Sequence, residues 1–418
     1  MHGVGTNPGI TINRAYPVVL DISRLVSRVG RGPLTGVDRV ELAYLDWCLS
    51  DATAPFYCLA RISGGYVVLD REGAVSFKAK LQGKTRWGKP DLRARLALKT
   101  PKFRGAAESD LRRLAIARSG RSTLPPLPLT HGIYLNIGHS NLSETTLFGI
   151  RKAGLKVATL IHDMIPLDFP QFQRDGTVPQ FEKKMRIAAG NSDLIIANSA
   201  DTSARVRHYF RQWGGKPQSV NALLGVPDLS MPIDRSGLNR AYFVTIGTIE
   251  PRKNHALLLD VWDELQAELP TEQMPALHIV GHRGWKNEDV FRRLDELKGS
   301  QHVIEHSDMN DEALTELLAG SHGLVFPSFA EGFGLPSIEA AQLGISVICG
   351  DLAIHHEILG DYPVYVDLQD RYLWKKTILE QANQRQKDLI HANKAKNPKI
   401  PTWSEHFEAV NAAVIKLL

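Results

Sequence analysis

Two series of short β-branched runs alternating with helical stretches, divided by a segment without periodicity, constrain how this chain can fold more than any other feature. In the first series, "YPVVLDIS" (16–23), "GIYLNIG" (132–138), "LKVATLIHD" (155–163) and "SDLIIANS" (192–199) read as strands, and "VDRVELAYLDWCL" (37–49) reads as a helix. The second series has strands at "AYFVTIG" (241–247), "ALHIVG" (276–281), "HVIEHS" (302–307), "HGLVFPS" (322–328), "ISVICGD" (345–351) and "YPVYVD" (362–367). Its helices are "HALLLDVWDELQAEL" (255–269) and "DEALTELLAG" (311–320). Alternation of this kind argues for parallel α/β sheets, and two series argue for two such domains. The interval "GVPDLSMPIDRSGLNR" (225–240), with two prolines and two glycines, reads as their linker. The expected organisation is a flexible lead at 1–15, an N-terminal domain at 16–228 with a basic insertion at 78–121, a C-terminal domain at 229–400, and a helix at 401–418 packing back on the first domain.

A length of 418 residues exceeds one ordinary core and suits two domains of roughly 200 residues each. The hydrophobic fraction of 43% and charged fraction of 23% are those of a soluble globular protein. No apolar run approaches the roughly 18 residues that span a bilayer, and the opening "MHGVGTNPGITINRAYP" lacks the apolar centre of a secretory signal. Cys48, Cys58 and Cys349 are too few and scattered for a disulfide framework, and no C-x-x-C suggests zinc. The expected location is the cytoplasm.

The net charge of +5 is unevenly spread. Residues 78–121 hold fourteen Lys or Arg against three acids, a local +11 that leaves −6 for the rest of the chain. With only Trp87 and Phe103 as stacking aromatics, the stretch does not read as a nucleic-acid surface. It is either a solvated insertion or a surface attracted to an anionic membrane or an anionic lipid-linked substrate. Attachment at the inner face of the cytoplasmic membrane is the corresponding expectation.

"SFAEGFGLPSIEAAQLG" (328–344) sets Glu331 and Glu339 eight positions apart, behind the apolar run at 322–328. Pro336 suits a first helical turn, Ala340 and Ala341 a helix interior, and Gly344 a stop, so the stretch reads as strand, glycine loop, helix. In an open parallel sheet, ligands gather at the carboxyl ends of strands, where helix N-termini offer free amides to phosphate. Carboxylates there suit sugar hydroxyls, so the pair fits a phosphorylated sugar. "TIGTIEPRKNHALLLDVW" (245–262) likewise reads as strand, turn, helix, with Arg252 and Lys253 just before the helix, where two cations could hold a diphosphate.

On these motifs the chain resembles the retaining nucleotide-sugar glycosyltransferases of glycosyltransferase family 4. The likeness runs continuously from "TIGTIEPRKN" through "FAEGFGLPSIEAAQLGISVICGD" to "HHEILGDYPVYVD", and more loosely through "TGVDRVELAY" (35–44) and "IHDMIPLDFP" (161–170). The resemblance implies an α/β GT-B architecture, two Rossmann-like domains facing across a cleft. It assigns Arg252 and Lys253 to the donor diphosphate, Glu331 to the transferred sugar and Glu339 to the ribose hydroxyls. Phe333, Gly334 and Leu335 form the loop whose amides approach sugar and phosphate, and Gly36 lies in the first loop of the N-terminal domain beside the diphosphate. His162 matches the histidine near the reacting sugar, with Asp163 to orient it, and His139 at another strand end is a weaker acceptor contact. The basic stretch has no counterpart in the family.

The implied chemistry is transfer of a hexose, mannose from a guanosine diphosphate donor as the first expectation, to a glycan or lipid-linked acceptor of a surface polysaccharide. Fixed cations and helix amides would stabilise the leaving diphosphate. No D-x-D occurs in the chain, so neither a metal nor another cofactor is expected. Retention fits front-face attack, with Glu331 as a sugar-binding group or, on paper, a nucleophile. The alternatives are an epimerase or phosphorylase on a similar scaffold, and a non-catalytic nucleotide-sugar-binding subunit.

Overall fold

The computed structural model describes residues 13–32, 34–96, 101–227, 229, 240–384 and 398–418. Most of the expected lead and most of the expected linker lie outside the described residues. The chain forms two compact units, one of residues up to Met164 with Pro179–Gly225 and Thr402–Leu418, the other of Ile165–Val178 with Val226–Pro401.

The first unit is built on eight strands: β1 (Val18–Asp21), β2 (Phe56–Ile62), β3 (Gly65–Leu69), β4 (Ala117–Ser119), β5 (Ile133–Asn136), β6 (Lys156–Ile161), β7 (Leu194–Ala197) and β8 (Gln218–Asn221). They lie in the order β4-β3-β2-β1-β5-β6-β7-β8. All pairs are parallel except β2 with β3 and β3 with β4. β1, β5 and β7 are buried along their whole length, as strands covered on both faces must be. The chain leaves β1 toward β2 on one side and later returns to β5 on the other. That reversal creates a topological switch point at the carboxyl ends of β1 and β5.

Helix Gly36–Ser50 starts at a capping box of Thr35 and Asp38 and buries Tyr44, Leu45 and Trp47. The last helix, Trp403–Leu417, starts at a second capping box, Thr402 with Glu405, and buries Phe407, Val410 and Val414. Phe407 stacks on Trp47 at 4.5 Å between ring centroids. His406 turns Nδ1 to the carbonyls of Ala222 and Leu223, both at 3.1 Å. A carbonyl only accepts, so Nδ1 carries the proton, and Tyr44 donates its hydroxyl to Nε2 at 2.8 Å. Burial lowers the His406 pKa from 6.5 to about 4. The unfolded chain therefore takes up this proton first as pH falls below 6.5, and stability is lost between pH 6.5 and 4. The stability gap between the wild type and His406→Gln, measured by urea unfolding, is expected to shrink by about 2 kcal/mol from pH 7 to pH 5. A gap independent of pH would refute the neutral, buried imidazole.

The sequence reading passed over β2 and β3, a hairpin turned by the Ser63-Gly64-Gly65 corner, although a Gly-Gly pair between apolar runs is a hairpin signal. The basic stretch starts in helix Arg71–Leu81, runs through helices Leu92–Leu96 and Lys102–Leu114, and ends just past β4. Much of its charge is neutralised locally. Lys78 pairs with Asp46 at 2.5 Å, Lys80 with Asp110 at 2.6 Å, Arg104 with Glu108 at 3.0 Å and Arg112 with Asp91 at 2.7 Å, and Arg113 also meets Asp110.

The second unit carries six parallel strands: β9 (Tyr242–Ile246), β10 (Ala276–Val280), β11 (Val303–His306), β12 (Gly323–Phe326), β13 (Val347–Gly350) and β14 (Val364–Val366), in the order β11-β10-β9-β12-β13-β14. This is the dinucleotide-fold order, with its switch point between β9 and β12. Phe243, Leu258, Trp262, Ile279, Val325 and Trp374 form its core. Residues 165–178, expected in the first domain, belong here instead. Phe172 stacks on Phe329 at 5.3 Å, Trp285 donates its indole N–H to the Phe172 carbonyl at 2.9 Å, and Arg174 lies over the Trp285 ring at 4.4 Å. An aromatic anchor outweighs sequence order. Among the described residues no helix is long and apolar enough to cross a membrane.

Candidate functional site

The loops leaving β9 and β12 meet at the switch point of the second sheet. After β9 the chain passes Gly247 and forms a single turn, Pro251–Lys253, and Asn254 in the left-handed region then starts helix His255–Glu268. After β12 a loop runs to Gly334, at φ 79°, which caps helix Leu335–Gln342 with Pro336 in its first turn. The Phe329 amide donates to the Arg252 carbonyl at 2.9 Å, tying the two loops together.

Across this junction the sequence-predicted cations and one glutamate converge. Lys253 Nζ donates to Glu331 Oε1 at 2.5 Å, and Arg252 Nη1 stands 3.2 Å from Glu331 Oε2. Arg252 also donates to Glu250 Oε1 at 2.6 Å through Nη2 and to the Ala330 carbonyl at 2.5 Å through Nη1. Lys253 Nζ lies 4.4 Å from the centre of the Phe326 ring, a cation–π contact. Burial pushes the Glu331 pKa up, but the charges of Lys253 and Arg252 and the Lys253 hydrogen bond outweigh it and bring it down to about 2. Glu331 is therefore ionised at neutral pH. Two cations and two carboxylates make a locally neutral cluster, and Lys253 uses one of its three donors on Glu331, keeping two for an anion.

Phe333 is a buried residue of the loop, and Glu339 is buried at 8% exposure just past the middle of the helix that Leu335 opens. Sequence reasoning gave no role to His355. Its Nδ1 donates to the Gly350 carbonyl at 3.1 Å, and its buried Nε2 has no partner among the described residues. A Cβ placed on Gly334 would stand 3.4 Å from that Nε2, so His355 supports the glycine loop from beneath. The signal was its place just after a predicted strand, in "HHEILGD".

The remaining predicted residues lie in the first unit. His162 follows β6 and is buried at 8% exposure, and its Nε2 donates to the Ile137 carbonyl at 2.9 Å. His139, at φ 56°, follows β5 and donates through Nε2 to the Leu160 carbonyl at 2.6 Å. The two rings are 5.5 Å apart. Burial lowers both, to about 3 for His162 and about 4 for His139, so both are neutral imidazoles at pH 7. Asp163 follows His162 and is partly exposed. Gly36 is exposed in the first turn of its helix, and the amide end there already holds a carboxylate: Asp38 accepts from Thr35 N at 2.8 Å and pairs with Arg24 and Arg28.

Residues 231–397 match the family described as glycosyl transferases group 1. Over 240 residues the chain is 32% identical to the serotype-specific mannosyltransferase WbdA of Escherichia coli, a match covering 53% of this chain and 29% of that protein. It is 29% identical to the O-antigen chain mannosyltransferase B of Escherichia coli over 51% of this chain and 58% of the relative. The matched region thus spans less than two thirds of either relative's length. Among solved structures, Anabaena HepE in complex with UDP-glucose superposes with a TM-score of 0.55 over 96% of this chain and 97% of that one, at 14% identity. The fold is GT-B.

Proposed function

We propose that this chain, which carries a glycosyl transferases group 1 domain on a GT-B fold, transfers a hexose from a nucleoside diphosphate sugar to a glycan or lipid-linked acceptor in surface polysaccharide synthesis. The observation that carries the reading is the junction of Arg252, Lys253 and Glu331 at the β9/β12 switch point, beside the amide end of helix Leu335–Gln342. Two cations placed there suit a leaving diphosphate, and Glu331, held ionised, suits the sugar hydroxyls. Mannose on a guanosine diphosphate is the proposed donor, supported by the mannosyltransferases among the relatives.

In this reading Glu339 binds the ribose, and Phe333, Gly334 and Leu335 bring their backbone to sugar and phosphate. His162 serves the reacting sugar as a neutral hydrogen-bonding group, with Gly36, Asp163 and His139 in supporting contacts. Transfer proceeds with retention and needs no metal, the diphosphate charge being met by side chains and amides. The protein works in the cytoplasm at the membrane's inner face, which residues 78–121 would meet through anionic lipid.

Calorimetry of nucleoside diphosphates with Glu339→Ala tests the donor assignment. Affinity is expected to fall roughly ten- to a hundredfold, the range for a hydrogen bond to a charged group. Unchanged affinity would remove Glu339 from the ribose.

A further inference from the structure

A cavity of about 490 Å³ in the first unit is lined by Ser23, Ser27, Arg61, Ser63, Arg104, Arg121, Ser140 and Lys184, with Ile62. Ser23 follows β1 and Ser140 follows β5, so the cavity opens at the switch point of the first sheet, where such folds collect ligands. Arg61 and Ser63 come from the end of β2, and Lys184 from helix Thr177–Asn191. Arg104 and Arg121 belong to the basic stretch, whose excess charge thereby gains a direction.

The cavity is held in shape by its own polar contacts. Arg121 donates to the Ser63 carbonyl at 2.9 Å and 2.6 Å, and buried Glu108 accepts from Ser63 N at 3.1 Å and from Arg104 Nε at 3.0 Å. Ser23 Oγ accepts from Arg61 N and from Asn141 Nδ2, both at 2.8 Å, and its hydroxyl is engaged by the buried Asp21 carboxylate. Four cations, Arg61, Arg104, Arg121 and Lys184, line the cavity, and Glu108 pairs with one of them, Arg104. Lys184 is lowered by burial and then by the charge of Arg24.

We propose that this cavity binds a phosphoryl group of the acceptor. The inference rests on the glycosyltransferase reading only for the word acceptor, since the phosphate site itself stands on the first unit alone. Guanidinium forks and an ammonium match the oxygens of a phosphate monoester, whereas a neutral sugar would leave Arg61, Arg121 and Lys184 without an anion. It adds a substrate class to the site, a phosphate-bearing acceptor rather than a neutral glycan end.

The probe is glycerol 1-phosphate, titrated calorimetrically into the full chain, with glycerol as the neutral control. Binding is expected for the phosphate and not for glycerol, and Arg61→Gln combined with Lys184→Gln should weaken it at least tenfold while leaving thermal unfolding unchanged. Both side chains are at least partly exposed, so the fold should tolerate their loss. Lys253→Met should leave glycerol 1-phosphate binding intact, and the double variant should leave guanosine diphosphate binding intact. Equal binding of glycerol, or wild-type affinity in the double variant, overturns the proposal. Loss of nucleotide binding alone would instead overturn the donor reading. A monomeric short-chain phosphatidic acid binding more tightly than glycerol 1-phosphate supports a lipid-borne phosphate, and equal binding supports a free sugar phosphate.

Discussion

Lys253→Met is expected to lower turnover of the nucleotide sugar by about 10² to 10³, while binding of the nucleoside alone changes little. Lys253 Nζ sits 2.5 Å from Glu331 at the switch point, with donors to spare for a leaving diphosphate. Met keeps an apolar stem of similar length and removes the charge together with the hydrogen bond to Glu331. A cation acting on the departing diphosphate lowers the barrier of the chemical step, so the loss should appear in kcat more than in KM. The fold should survive because Glu331 keeps Arg252 at 3.2 Å. Glu331 gives a second readout. Its depressed pKa contributes stability above pH 4.5 that is lost as pH falls toward 2, and this contribution should diminish once Lys253 is gone. Steady-state kinetics with the wild type and Lys253→Met decide the matter, and turnover within a factor of three of the wild type would sink the role.

Gly281→Ala should destabilise the second unit by about 3 kcal/mol, the upper part of the range for overpacking a tight site. A Cβ at that position would stand 1.9 Å from the Gly247 carbonyl oxygen and 2.7 Å from its carbon, and both belong to backbone that cannot swing away. Gly247 holds φ 144° and is pinned by its amide to the Val280 carbonyl at 2.9 Å. Any relief must displace the loop that carries Arg252 and Lys253, so nucleotide affinity should fall with stability. Gly190→Ala is the control: a Cβ there meets nothing within 4 Å, and in helix Thr177–Asn191 it should be neutral or gain up to about 1 kcal/mol. Urea unfolding of both variants checks the pair, and a Gly281→Ala midpoint equal to that of the wild type would contradict the close approach.

The elements were legible where local chemistry decides them. Pro336 and Gly344 bracket the helix after β12 as read, because a proline fits only a first turn and a glycine readily takes the left-handed stop, here at φ 74°. Helices 37–49 and 255–269 were placed within a residue or so by their 3.6-residue pattern. The β2–β3 hairpin escaped because attention to strand–helix alternation favours parallel crossovers over tight turns. Residues 165–178 were misplaced because nothing local in that stretch says that Phe172 will stack on Phe329.

What the sequence determined by itself is therefore the kind and order of elements and the presence of a loop rich in glycine and acid after a buried strand, since periodicity, capping and turn chemistry act over fewer than ten residues. The tertiary structure alone decided which charges meet. Lys253 and Glu331 are 78 positions apart, and Tyr44 and His406 are 362 apart. The basic stretch shows the same division: its charge could be counted in the sequence, but only the fold divides it between ion pairs with Asp46, Asp91, Glu108 and Asp110 and a cavity at the ends of β1 and β5. Strand order sets these distances, and strand order follows from how whole helices and sheets bury their apolar faces against each other, a sum over the chain that no short window contains.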